Sequence, residues 1–125
     1  MASHKVETLI NSAKDVGALK IIVSKVENFD NDMLKLICDD LKSRFQNVVV
    51  VLANIGSEKS NIIISAGKIA LENGVNAGAL VKEVAKLTGG NGGGRKDMAM
   101  AGIKDVSKID LALGKVHELV IPFAN

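Results

Sequence analysis

With 125 residues, 47% hydrophobic and 24% charged, the chain holds enough apolar material for one core and too little for two. Its longest apolar run, Val48 to Ala53, falls far short of the roughly 20 residues that cross a bilayer. A formal charge of +2 is too small to define a partner by its sum alone.

Met1 to Lys5 lacks the apolar stretch of a signal peptide, so the expected location is cytoplasmic, with no membrane contact. The single cysteine, Cys38, excludes an internal disulfide, and beside Ile37 it reads as a small core residue. Together with the distant His4 and His117 it makes a poor zinc set. Both histidines are expected on exposed helix faces.

Val6, Leu9, Ile10 and Ala13 recur at helical spacing behind Ser3, a residue suited to capping, so the first fifteen residues predict an amphipathic helix. Gly17 breaks that pattern. Leu19, Ile21 and Val23 then alternate with Lys20 and Ser24, which predicts a strand with one covered face. Asp30 or Asn31 caps a second helix whose apolar side is Leu34, Ile37, Cys38, Leu41 and Phe45. Val48 to Leu52 is an unbroken apolar run led by valines, the pattern of a central strand covered on both faces. Gly56 to Lys59 reads as a turn and Asn61 to Ser65 as a strand that pairs back across it.

Gly67 to Gly74 predicts a short helix or helical turn. Asn76 caps the next helix, with Ala77, Leu80, Val81, Val84 and Leu87 on one side and Lys82 and Lys86 one turn apart on another. Met98 to Ala101 suits a strand of small residues. Asp105 or Ser107 opens a final helix carrying Ile109, Leu113, Val116 and Val120, and Pro122 ends it. Without regular alternation of strand and helix, these elements predict a single compact α/β domain. Its mixed sheet has three to five strands packed with helices. The expected division is an N-terminal amphipathic helix over 1–17 and a globular domain over 18–125.

One segment departs from ordinary composition. Gly89-Gly90-Asn91-Gly92-Gly93-Gly94 holds five glycines in six positions. Each costs about 0.5–1 kcal/mol relative to alanine in a regular element. Such density suits backbone that a partner approaches closely, or a nest of N–H groups around an anion. Arg95 and Lys96 follow at once and are placed to clamp a phosphate. The same glycines also fit a linker, although only one helix follows them, and Gly89 alone fits a helix C-cap. From Lys82 to Lys108 six basic residues face Glu83, Asp97 and Asp105, a local excess that attracts phosphates or simply solvates a face. A P-loop requires G-x-x-x-x-G-K-S/T, which Arg95-Lys96-Asp97 does not supply, and Arg95 stands where the dinucleotide fingerprint needs its third glycine.

Gly89 to Gly102 resembles the signature near the end of bacterial alanyl-tRNA synthetases, which runs close to G-G-x-G-G-G-R-P-D-x-A-Q-A-G-G. Asn76 to Ala85 is similar to that family's H-A-G-K-L-V-K-E-I/V-A, and the likeness extends over roughly Leu19 to Val120. The matching positions are Gly89, Gly90, Gly92, Gly93, Gly94, Arg95, Asp97 and Gly102. The chain departs where Lys96 replaces proline, Met100 replaces glutamine and Ile103 replaces a second closing glycine.

The resemblance implies a C-terminal domain related to the one appended to DHH-type phosphoesterases. Such a domain helps bind the tRNA elbow in support of aminoacylation and editing, and some members use the region for self-association. Where the phosphoesterases continue G-G-G-H, Arg95 stands in the histidine's place. The implied role is binding without catalysis and without a cofactor, ATP and zinc belonging to other domains of a full-length enzyme. Phe29, Phe45 and Phe123 are the only aromatic residues, and Phe45 is expected in the core. Recognition is therefore expected to read folded RNA shape rather than stack single-stranded bases. The leading contacts are Gly89, Gly90, Gly92, Gly93, Gly94, Arg95, Lys96, Lys82 and Lys86. Arg95 pairing with Asp97 as a brace, oligomerisation through the first helix, a stand-alone nucleic-acid-binding relative of the phosphoesterase-appended domain, and small phosphate ligands are the competing expectations.

Overall fold

A computed structural model describes residues 2–124, with side chains from Val6 onward. The expected roles of Ser3 and His4 lie outside the described side chains. The elements in chain order are α1 (Ala2–Ser12), β1 (Lys14–Val16), β2 (Leu19–Glu27), α2 (Asn31–Arg44), β3 (Val48–Ile55), β4 (Ser60–Ala66), α3 (Lys68–Glu72), α4 (Ala77–Thr88), β5 (Gly92–Gly94), β6 (Met98–Ile103) and α5 (Ile109–Val120). Short 3-10 turns over Val106–Lys108 and Ile121–Phe123 flank α5.

The sheet has six strands in the order β1-β2-β3-β4-β6-β5, so the expected three to five undercounts it. Both additional strands are three-residue edges, β1 and β5. Segments that short carry no periodicity, and short edges also limit unwanted pairing with other chains. Only β2 and β3 run parallel, joined through α2, and every other pair is antiparallel.

Helices cover both faces of the sheet. On one side Val6 and Leu9 of α1 and Leu34, Ile37, Cys38 and Leu41 of α2 pack on Ile22, Val48, Val50, Leu52 and Ile63. On the other, Leu80, Val81 and Val84 of α4 and Ile109, Leu113 and Val116 of α5 pack on Ile21, Val49, Val51, Ile62 and Ile64. This alternation within β3 accounts for its continuous apolar run. The same arrangement corrects β2, which buries Ile21 on one face and Ile22 on the other rather than covering one alone.

Helix boundaries follow their caps. The Asp30 carboxylate accepts from the Met33 N–H at 2.7 Å and Asn76 Oδ1 accepts from the Ala79 N–H at 3.2 Å. Helix α1 stops at Ser12, whose hydroxyl donates to the Leu9 carbonyl, so the expected fifteen-residue helix is shorter and Lys14–Val16 joins the sheet. Asp105 caps the 3-10 turn that leads into α5 rather than α5 itself. Phe45 packs half-buried against the α2 side of the core, with the Lys20 ammonium over its ring at 4.9 Å from the centre. Cys38 is buried as expected, and burial pushes its thiol up to about 12.

His117 is half-buried, not exposed, beside a cavity of about 290 Å³ lined also by Ser12, Lys14, Ile21, Val23, Leu113 and Gly114. A methyl group at Gly114 would meet nothing within 4 Å, while its position inside α5 favours alanine. Gly114→Ala is therefore expected to raise stability by about 0.5–1 kcal/mol. Leu34→Ala, at a fully buried position, is expected to lower it by about 2–5 kcal/mol, both read from denaturant unfolding midpoints.

Candidate nucleic-acid interface

The glycine stretch is an edge of the sheet and not a free loop. Gly89 adopts the left-handed conformation (φ +74) that ends α4, its N–H donating to the Ala85 carbonyl. Asn91 accepts from the Gly102 N–H at 2.8 Å, and Arg95 N–H donates to the Met98 carbonyl at 3.0 Å. Between these pairs Gly92, Gly93 and Gly94 stand opposite Ala101, Met100 and Ala99. Antiparallel alternation then assigns the Gly93 amide to the ladder and directs those of Gly92 and Gly94 off the outer edge.

Close approach explains the residue type. A Cβ at Gly90 would overlap the Gly102 carbonyl oxygen, and one at Gly92 would overlap Ala101. Gly94, at φ +153, would place a Cβ 2.7 Å from the Ala99 Cα. From the helix side, a Cβ on Gly78 would lie 2.8 Å from the Gly94 carbonyl oxygen. Gly93 is different, with open space where its side chain would be. That open position lies on the sheet face where the neighbouring Met98 and Met100 are only half-buried.

Arg95 and Lys96 occupy the turn between β5 and β6, beside the start of α4. The Lys96 carbonyl accepts from the Ala77 N–H at 2.8 Å, so this residue serves the fold through its backbone and leaves its ammonium exposed. Arg95 Nε lies 3.2 Å from Asp97 Oδ1, which realises the expected brace. The arginine side chain is 79% exposed, and its terminal nitrogens make no other ion pair among the described residues. Asp97 in turn ties the hairpin to the neighbouring strand, since its carbonyl accepts from the Ala66 N–H and from the Ser65 hydroxyl, both at 3.0 Å. Its carboxylate also stands 4.0 Å from Lys42 Nζ.

The expected site residues are thus not gathered at one point. Arg95, Lys96, Gly94 and the start of α4 form one end of the hairpin, and Gly89 and Gly90 lie at the other. Lys82 is exposed on α4, while Lys86 is tied to Glu83 at 2.9 Å, a bond that lowers the Glu83 pKa. Lys86 stands about 6 Å further along the helix axis than Lys82. Lys59 and Lys104 near the Gly89 end were not among the expected contacts. Lys59 is remote in sequence and reaches the glycines only through sheet pairing. Among the described residues no group of three His, Cys, Asp or Glu side chains is arranged to hold a metal ion, and no helix is long and apolar enough to cross a membrane.

The packing predicts unequal tolerance within the glycine run. Gly92→Ala is expected to cost about 1–3 kcal/mol through overpacking against Ala101. Gly93→Ala is expected to stay within about 0.5 kcal/mol, as at an open surface position. Parallel urea denaturation of the two variants measures the difference.

The DHHA1 domain family model matches residues 18–121. An alanine–tRNA ligase of Clostridioides difficile (strain 630) is 40% identical over 120 residues, and one of Thermoanaerobacter sp. (strain X514) is 42% identical over the same length. Each alignment covers 96% of this chain, which spans 14% of the length of these relatives. The crystal structure of the C-Ala domain from Aquifex aeolicus alanyl-tRNA synthetase superposes with a TM-score of 0.77 at 29% identity, covering 87% of this chain and 97% of that one. The chain belongs to the DHHA1 domain family, and along nearly its whole length it is similar to the C-Ala domain of alanyl-tRNA synthetases.

Proposed function

We propose that this chain is the C-terminal tRNA-binding module of an alanyl-tRNA synthetase, holding the tRNA elbow in support of aminoacylation and editing and catalysing no step itself. The observation that carries this reading is the β5–β6 turn. It presents exposed Arg95 and Lys96 on a hairpin whose backbone is fixed against α4 and β6. A rigid support lowers the ordering cost of binding, and two cations side by side suit the phosphates of a folded RNA. Lys82 is exposed on the same helix that the Lys96 carbonyl caps, and it makes no ion pair among the described residues. Arg95 in place of the phosphoesterase histidine favours binding over phosphate-ester chemistry.

Aromatic content points to backbone and shape rather than base stacking. Phe45 is engaged with Lys20, Phe123 packs close to Gly74, and Phe29 is half-buried with its backbone bonded to Asn54. For self-association, Val6 and Leu9 of α1 are already buried against the chain's own sheet and α2. Pairing between chains would therefore have to use another surface.

Arg95→Ala combined with Lys96→Ala is expected to weaken tRNA binding about ten-fold in 0.1 M salt. The slope of log affinity against log salt is expected to become shallower by one to two. The check is a fluorescence titration with intact tRNA and with tRNA whose elbow pairing is disrupted. Equal affinity for both RNAs contradicts the elbow assignment.

A further inference from the structure

The far end of the glycine hairpin contains a second basic hollow. It has a volume of about 410 Å³ and lies between the β3–β4 turn and the segment joining α4 to β5. Lys59 enters from the turn and Lys104 from the end of β6, and Gly89, Gly90 and Gly102 form its backbone wall. Neither lysine makes an ion pair among the described residues, unlike Lys86, Lys42 and Lys20, which are all paired.

The acceptors around this hollow are largely committed within the fold. The Ala85 carbonyl receives the N–H groups of Gly89 and Gly90, and the Thr88 carbonyl receives the Asp105 N–H. The Asp105 carboxylate receives the N–H and hydroxyl of Ser107. Two of the last four carbonyls of α4, those of Ala85 and Thr88, are thus bonded within the fold, and Glu58 is the carboxylate on the lining. Two unpaired ammonium groups over side-chain-free backbone make a place where a phosphodiester can approach without meeting a Cβ.

We infer that Lys59 and Lys104 form a second phosphate-backbone contact for the same RNA, at the opposite end of the hairpin from Arg95 and Lys96. This inference rests on the tRNA-binding reading. Five residue steps of extended backbone carry the chain from Gly90 to Arg95, about 17 Å, too far for one phosphate and suited to two points on a folded RNA surface. The glycine run then serves as a spacer of fixed length between two cationic contacts. Free phosphate, which cannot bridge that span, gains nothing from the arrangement.

The test compares the wild-type chain, Lys59→Ala with Lys104→Ala, Glu58→Gln, and Arg95→Ala with Lys96→Ala in titrations against intact tRNA at several salt concentrations. Thermal unfolding confirms that each variant keeps the fold. The double lysine variant is expected to bind about three- to ten-fold more weakly, with a salt slope shallower by about 1.5, and Glu58→Gln is expected to bind about two-fold more tightly. If the wild type binds tRNA and the double lysine variant keeps the same affinity and slope, the second contact is overturned while the tRNA-binding reading stands. If the wild type does not bind tRNA, both are overturned.

Discussion

At Gly92 and Gly94 the backbone of β5 lies closer to its neighbours than any side chain permits, and the placement of the candidate site follows from that. Gly92 and Gly94 press on Ala101 and Ala99, Gly90 presses on Gly102, and Gly78 of α4 presses on the Gly94 carbonyl. Small residues on all three elements allow the approach, and the hairpin becomes a fixed edge of the sheet beside α4. Arg95 and Lys96 are carried on the turn of this edge, with Asp97 tying it to the end of β4.

This arrangement changes what the glycines do. In a free loop their N–H groups could curl around a single anion. In the hairpin the ladder takes the Gly93 amide and turns those of Gly92 and Gly94 outward, so the anion nest gives way to an extended rim. An extended rim suits a polymer better than a small ligand, in keeping with similarity to a domain of an RNA-charging enzyme. Lys96 illustrates the division of labour within the rim. Its carbonyl closes the hairpin onto α4, and its side chain is exposed.

Much of the fold was legible because its side chains follow the demands of burial. The valines of β3 announce a doubly covered strand, and Asp30 and Asn76 announce the helices that they cap. What escaped was decided by distant partners. Glycine has no side-chain pattern to read, so β5 becomes a strand only because β6 returns beside it. Ile22 was missed as a second buried face of β2 because α1 and α2 supply the cover from elsewhere in the chain. Arg95 and Lys96 were legible as adjacent cations after a glycine run. Lys59, thirty residues away from Gly89, was not, because its place near the hairpin depends on sheet order.

The central claim is that the glycine run is a structured edge whose outward side meets RNA. Amide hydrogen exchange by NMR tests both halves. The account predicts slow exchange at Gly93 and fast exchange at Gly92 and Gly94 in the free chain, with the outward pair slowing when tRNA is added. Uniformly fast exchange across Gly92 to Gly94, unchanged by tRNA, would contradict it.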